Sequence, residues 1–286
     1  MRELELLEKA STKRVLFVGE TIIDVYHYVR PLGRPTKDAI VSVELQSTET
    51  FEGGVVATAH NAMAILKNPP LIYTSGKPIR KTRFVEGSHI RKLFEYYDGA
   101  QEQHTCDLPE LGDYDAVIVT DYGHGMMTED LIQRICNEST YLAVNVQTNS
   151  GNYGYNLCTK YPGADFLCLD EPEARLATQN RYGPIRKSLE DLSRRFKRIC
   201  VTLGKAGAIG VDHGRFYECP AYTDTVVDTI GAGDAFFAVA SCIAKGAHMD
   251  QILRIGNAAG ALKSKIIGHR SAIKKEDLIA LLSDRA

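Results

Sequence analysis

VVDTIGAGDAFFAVASCIAKG, residues 226–246, is the stretch on which the reading of this chain turns. Three small residues, Gly231, Ala232 and Gly233, stand directly before an acid, Asp234, and an apolar run follows. The spacing predicts a mostly buried helix over 233–245 that starts at a glycine turn. A helix start presents backbone N–H groups without intrahelical acceptors at the positive end of the macrodipole, and glycine lets an anion approach them. Two readings answer the acid. Asp234 caps the helix, a contribution of about 1 kcal/mol. Alternatively, it acts as a general base beside a phosphoryl group held by the 231–234 amides. The cap accounts for the acid alone; the second reading accounts for the glycines as well.

Outward from this element, short apolar runs at 14–18, 116–120, 141–146, 165–169 and 198–203 read as buried parallel strands. Stretches 55–66, 129–137, 171–178, 185–196 and 250–267 have helical spacing, and 1–9 reads as a short amphipathic helix. Strand–helix alternation of this kind predicts a doubly wound α/β sheet. Segments 40–49 and 79–97 alternate polar and apolar residues with period two, which predicts half-exposed antiparallel strands in a small β-flap. Stretch 208–218 reads as a hairpin turning at His213-Gly214. With no repeat or long linker, residues 1–286 are expected to form one domain with a flap.

At 44% hydrophobic and 24% charged residues with a formal net charge of −2, the composition is that of an ordinary globular chain and gives no sign of a nucleic-acid partner. No apolar run approaches the ~20 residues of a membrane span. Seven cysteines, an odd number without a C-x-x-C pair, predict a reduced, cytoplasmic protein without structural zinc.

The longer string D-T-I-G-A-G-D-A-F at 228–236 resembles the C-terminal signature of the ribokinase-like (PfkB-type) carbohydrate kinases. Further likenesses follow in order along the chain: VLFVGE at 15–20 with Asp24, Gly53-Gly54 before a helix, VTLGKAGA at 201–208 and NAAGA at 257–261. Within the family, VLFVGETIIDVYHY, the flap segment Lys81-Thr82-Arg83-Phe84 and TDYGHG at 120–125 resemble heptose-7-phosphate kinases, the sugar-kinase half of bifunctional ADP-heptose synthases. The resemblance implies a three-layer α/β/α sandwich with a β-flap as lid, and transfer of the γ-phosphoryl group of ATP to a sugar or sugar phosphate. It places the sugar at Asp24, Gly53 and Gly54, and the nucleotide at Thr202, Gly204 and Asn257. It also implies magnesium near Glu173 and Asp170, and potassium beside the anion hole at Asp228 and carbonyls near 268–271. Arg83 suits a substrate phosphate, because guanidinium binds it bidentately; Lys81 reads as an ordinary exposed flap charge. Exposed flap edges predict a homodimer. No H-x-G-H nucleotidylyl-transfer motif occurs, so that activity would belong to a separate nucleotidylyltransferase.

Departures cluster on the substrate side. Ala57 stands where the family has a substrate-contacting Asn, and Asn61, one turn on, offers a substitute. Asn145-Val146-Gln147 replaces Asp-Pro-Lys, removing one positive charge. Asp170-Glu171-Pro172-Glu173 replaces N-x-x-E, and its acids also read simply as first-turn residues at a helix N-terminus. Segment 67–78 is too short for the family's additional helix and strand. A weakly active binding or regulatory subunit is the alternative reading; retention of Asp234 in an apolar helix start favours the enzyme.

Overall fold

Runs of valine, isoleucine and leucine bury both faces of a strand, and five of them lie side by side and parallel: β1 (Val15–Gly19), β7 (Ala116–Asp121), β8 (Leu142–Val146), β9 (Phe166–Asp170) and β10 (Arg198–Thr202). The computed structural model describes residues 3–33, 35–74, 78–88, 90–99, 107–223 and 225–285. Beyond β1 the sheet ends in a short parallel strand, β4 (Leu71–Tyr73). Beyond β10 it continues into an antiparallel hairpin, β11 (Ala208–Asp212) and β12 (Arg215–Cys219). The eight-stranded order is β12-β11-β10-β9-β8-β7-β1-β4. His213 and Gly214, at φ 48° and 76°, make the left-handed hairpin turn expected there.

Alternate strand residues feed two cores. Val15, Phe17 and Ile118 face α1 (Glu3–Ser11), α2 (Val55–Ala62), α6 (Ala232–Ala244), α7 (Met249–Lys263) and α8 (Lys275–Ser283). Leu16, Val18, Val117 and Val119 face α3 (Glu129–Glu138), α4 (Glu171–Thr178) and α5 (Ile185–Leu192). This is the three-layer α/β/α sandwich. The α6 helix is buried almost all round, which explains why its sequence shows no polar stripe.

A second sheet, ordered β3-β2-β5-β6, stands at the carboxyl ends of the parallel strands. It holds β2 (Thr21–Pro31), β3 (Val43–Gly54), β5 (Ile79–Glu86) and β6 (Arg91–Asp98). The flap expected from 40–49 and 79–97 is therefore larger. β2, outside the two segments expected to form the flap, follows β1 after a single residue. Nor is the sheet wholly antiparallel: β2 pairs antiparallel with β3 but parallel with β5, because β3, α2 and β4 intervene. Segment 67–78 retains an edge strand, β4, that its length did not suggest.

Candidate active site

Gly231 is the N-cap of α6, with φ 76°. A side chain there would be strained, and its Cβ would lie 3.0 Å from His269 and 3.1 Å from Lys263. The Ala232 amide donates to the Thr229 carbonyl at 3.3 Å and the Ala235 amide to that of Gly231 at 2.9 Å. Among the described residues no protein acceptor takes the Gly233 or Asp234 amide, so the turn keeps an anion-seeking pair of donors. Asp234 is the third residue of the helix and not its cap. The capping reading fails, because Asp234 Oδ1 instead accepts from Gln147 Nε2 at 2.6 Å and Tyr122 Oη at 3.1 Å. Burial pushes the Asp234 carboxyl above the usual carboxylate range, while His269, Gln147 and Tyr122 pull it back.

Three cavities meet at this turn. A groove of about 540 Å³ runs past Thr202, Gly204, Ala232, Gly233 and Asn257. Under the flap, a pocket of about 220 Å³ is lined by Asp24, Gly54, Lys81, Arg83, Gly231 and Asp234 among others. Between them lies a space of about 200 Å³ bounded by Gln147, Asp170, Glu173, Thr202, Gly233 and Asp234. Thr202, Asp170 and Gly233 line the groove and the middle space, whereas Gly231 and Asp234 line the middle space and the flap pocket.

In the flap pocket Asp24 is paired with Arg83 Nη1 and lies 3.3 Å from His269 Nε2. Burial opposes its charge, but His269 and Arg83 hold its carboxyl below the usual range. Arg83 also reaches Glu95 at 3.2 Å, as does Lys81 at 3.3 Å. Lys81 is not the exposed flap charge expected: its side chain is 15% exposed and lies over the Tyr97 ring. Gly53 does not line the pocket; it backs Asp24, whose Oδ2 a Cβ would approach to 2.6 Å. Gly54, the N-cap of α2 at φ 64°, lies so close to the Glu20 carbonyl that a Cβ would collide with it. Asn61 is absent from the pocket. It is buried, donating to Ala57 O at 3.0 Å and accepting from Ile273 N at 3.2 Å.

Asp170 and Glu173 form a capping box on α4, and Glu173 also accepts the Thr148 amide at 3.0 Å. Burial and the neighbouring Asp170 charge push Glu173 up to about 8. No cluster of three or more potential ligands is placed to hold a metal among the described residues. Both acids nonetheless line the middle space. That donor set fits a hydrated Mg²⁺ carried on phosphates, which needs only one or two protein carboxylates. Asp228 does not fit a monovalent cation: Oδ1 accepts from Lys92 Nζ at 2.9 Å and the Ile230 amide at 3.2 Å, and Oδ2 accepts from the Gly268 amide at 2.9 Å. The Ser271 carbonyl is taken by Lys263 Nζ at 2.7 Å. Asn257 lines the groove from mid-helix in α7, and its side-chain amide ties down the Cys219 carbonyl at 3.2 Å.

Five further residues belong to the site without a local signal in the sequence. Tyr122 and His124 stood inside TDYGHG, but only folding shows them in the pocket. Glu20 holds that loop by accepting both their amides, at 2.9 and 3.0 Å. Gln147 was read as a lost charge, whereas it donates to Asp234. His269 lies only 3.3 Å from Asp24 although the two are far apart in sequence.

Residues 97–275 match the profile of the pfkB family carbohydrate kinase. The chain belongs to this family. As a family member it is a carbohydrate kinase, a phosphotransferase. It is 28% identical over 300 residues to the Bifunctional protein HldE of Nitrobacter hamburgensis, a match covering 88% of this chain and 60% of that protein. The chain thus spans less than two thirds of that relative. Ribokinase from Arabidopsis thaliana, solved with ribose and ATP, superposes with TM-score 0.71 at 15% identity, covering 95% of this chain and 99% of that one. Phosphofructokinase-2 from Escherichia coli, solved with potassium, gives 0.72 at 14%, covering 96% and 99%. These likenesses establish the ribokinase-like fold. No helix among the described residues is long and apolar enough to cross a membrane.

Proposed function

We propose that this pfkB-family kinase transfers the γ-phosphoryl group of ATP to a hydroxyl of a sugar phosphate of the heptose-phosphate kind. One observation carries the reading: Gly231 and Asp234 are shared by the flap pocket and the middle space that continues into the groove. The nucleotide occupies the groove along Thr202, Gly204 and Asn257, with its phosphates directed into the middle space. The sugar occupies the flap pocket, where Asp24 and Gly54 meet its hydroxyls. Lys81, Arg83, His124 and His269 make that pocket suited to a phosphorylated substrate.

Asp234 takes the proton of the attacking hydroxyl. The hydrogen bonds from Gln147 and Tyr122 both fall on Oδ1, which orients the carboxylate, and a pKa raised by burial strengthens the base. The Gly233 and Asp234 amides neutralise charge developing on the phosphoryl oxygens. Magnesium bound with the nucleotide would shield phosphate charge, its waters held by Glu173 and Asp170. The described cysteines are all free, which fits a cytoplasmic enzyme. The flap supports a homodimer, and a second, nucleotidylyl-transferring step would need residues beyond these, since they contain no H-x-G-H.

The test is a panel of sugars and sugar phosphates incubated with Mg-ATP, read as ADP release. ADP release with a seven-carbon sugar phosphate above that with the unphosphorylated sugars is the expected outcome. Ligand-induced melting shifts without ADP above background would transfer the chain to the regulatory reading.

A further inference from the structure

Lys263 is the last residue of α7, and its relative exposure is 1%, an unusual degree of burial for an ammonium group. Its Nζ donates to the Ser271 carbonyl at 2.7 Å. Its Cε lies 3.1 Å from where a Cβ of Gly231 would stand, directly against the turn that caps α6. Burial pushes its ammonium below the usual lysine range, and the nearby Asp234 and Asp228 carboxylates pull it back up. The next residue ties the same turn to α7: Ser264 O accepts the amides of Val227 at 2.9 Å and Asp228 at 3.1 Å. A second ammonium, Lys92 from the flap, closes Asp228 from the other side at 2.9 Å.

These are the groups, Asp228 and the 268–271 carbonyls, at which potassium was expected. A monovalent ion at Ser271 O would stand beside a fixed like charge. Repulsion between like charges that close, in a site largely shielded from water, disfavours entry of the ion. Burying Lys263 unpaired would be costly, yet its position beside an anion-binding turn supplies a partner whenever phosphate is present.

We propose that the Lys263 ammonium is the resident cation of the anion hole, so that nucleotide binding and phosphoryl transfer need no monovalent metal ion. The inference rests on the proposed role of the 231–234 turn in holding phosphate. Lys263 acts through the turn as a positioning and charge-supplying residue, not as a proton carrier.

The experiment compares potassium, sodium and tetramethylammonium chlorides at equal ionic strength. Titration calorimetry with Mg-ATP and thermal melting are the two readouts. For the wild type, affinity should agree within about twofold across the salts, with coincident melting curves. Lys263→Met keeps the chain length and removes the charge. In tetramethylammonium its Mg-ATP affinity should fall at least about tenfold, and potassium, entering the vacated place, should recover part of the loss and raise its melting temperature. A folded Lys263→Met that binds like wild type in tetramethylammonium would overturn the proposal. So would a potassium-specific rise in wild-type affinity or melting temperature. The wild-type comparison decides even if the variant does not fold. If the wild type binds no nucleotide in any salt, the kinase reading fails, while coincident melting in the three salts still upholds an ion-free site.

Discussion

Asp234 combines three properties that rarely coincide in one side chain: burial, a position in the first helical turn, and two donors on a single carboxylate oxygen. Replacing it by Asn keeps an acceptor for Gln147 and Tyr122, so the α6 start should survive. The amide cannot take a proton, and losing a general base typically costs about 10²–10⁴ in rate. Asp234→Asn is therefore expected to lose turnover by that factor while keeping its melting temperature and its nucleotide affinity, which should hold or rise as a negative charge leaves the phosphate side. Turnover close to wild type would remove Asp234 from the chemistry. Unfolding of the variant would show instead that the bonds to Gln147 and Tyr122 are chiefly structural.

Between elements, the joint that positions the pocket is the end of β1. Glu20 bridges β1 to the loop after β7 through the Tyr122 and His124 amides, and its own carbonyl accepts the Val55 amide at the start of α2 at 3.0 Å. Burial, followed by the Asp121 charge, pushes its carboxyl from 4.5 up to about 7. The folded protein then keeps a proton that the unfolded chain has released between those values. Stability contributed by this group accordingly falls as pH rises from 4.5 to about 7 and levels off above it. Glu20→Gln removes the titration at the cost of one amide bond. Denaturation midpoints measured from about pH 5 to about pH 8 should fall with a shallower slope in the variant than in the wild type. Parallel slopes would mean that Glu20 ionises at its ordinary value in the folded protein.

Across the molecule, the flap has two unlike faces. Asp24, Lys81 and Arg83 point into the pocket; the opposite face carries Phe84 stacked on Phe94 at 4.3 Å, with Phe94 and Tyr96 nearly half exposed. Among the described residues β3 and β6 are the open edges of this sheet, and Leu45 on β3 is also exposed. An apolar sheet face with two free edges favours a second copy of the same surface. Light scattering at micromolar concentration should therefore give twice the 31.6 kDa chain mass, and Phe94→Glu should reduce it to one. A wild-type monomer at that concentration would sink the dimer.

The parallel strands, the α6 helix and the glycine–aspartate turn were legible in the sequence because their signals are local. An apolar run of five residues buries both strand faces, and a helix start needs only neighbouring residues to present its amides. The hairpin at His213-Gly214 belongs with them, since a two-residue turn is specified by the residues in it. What the local signal could not hold was which side chains meet. Asn61 resembled a site residue and went to the core, because Ile273, far along the chain, supplies the amide that holds it. Lys81 looked solvated until Tyr97 and Glu95 closed over it. β2 was missed as a flap strand because its pairing is set by β3 and β5 and not by its own alternation. By itself the sequence determined the layers, the glycine turn at the start of α6 and the acid that enters it. Only the tertiary structure decided that Gln147 and Tyr122 orient that acid, that His269 and Arg83 hold Asp24, and that Lys263 stands where a metal ion was expected, because those contacts join residues whose proximity no spacing along the chain encodes.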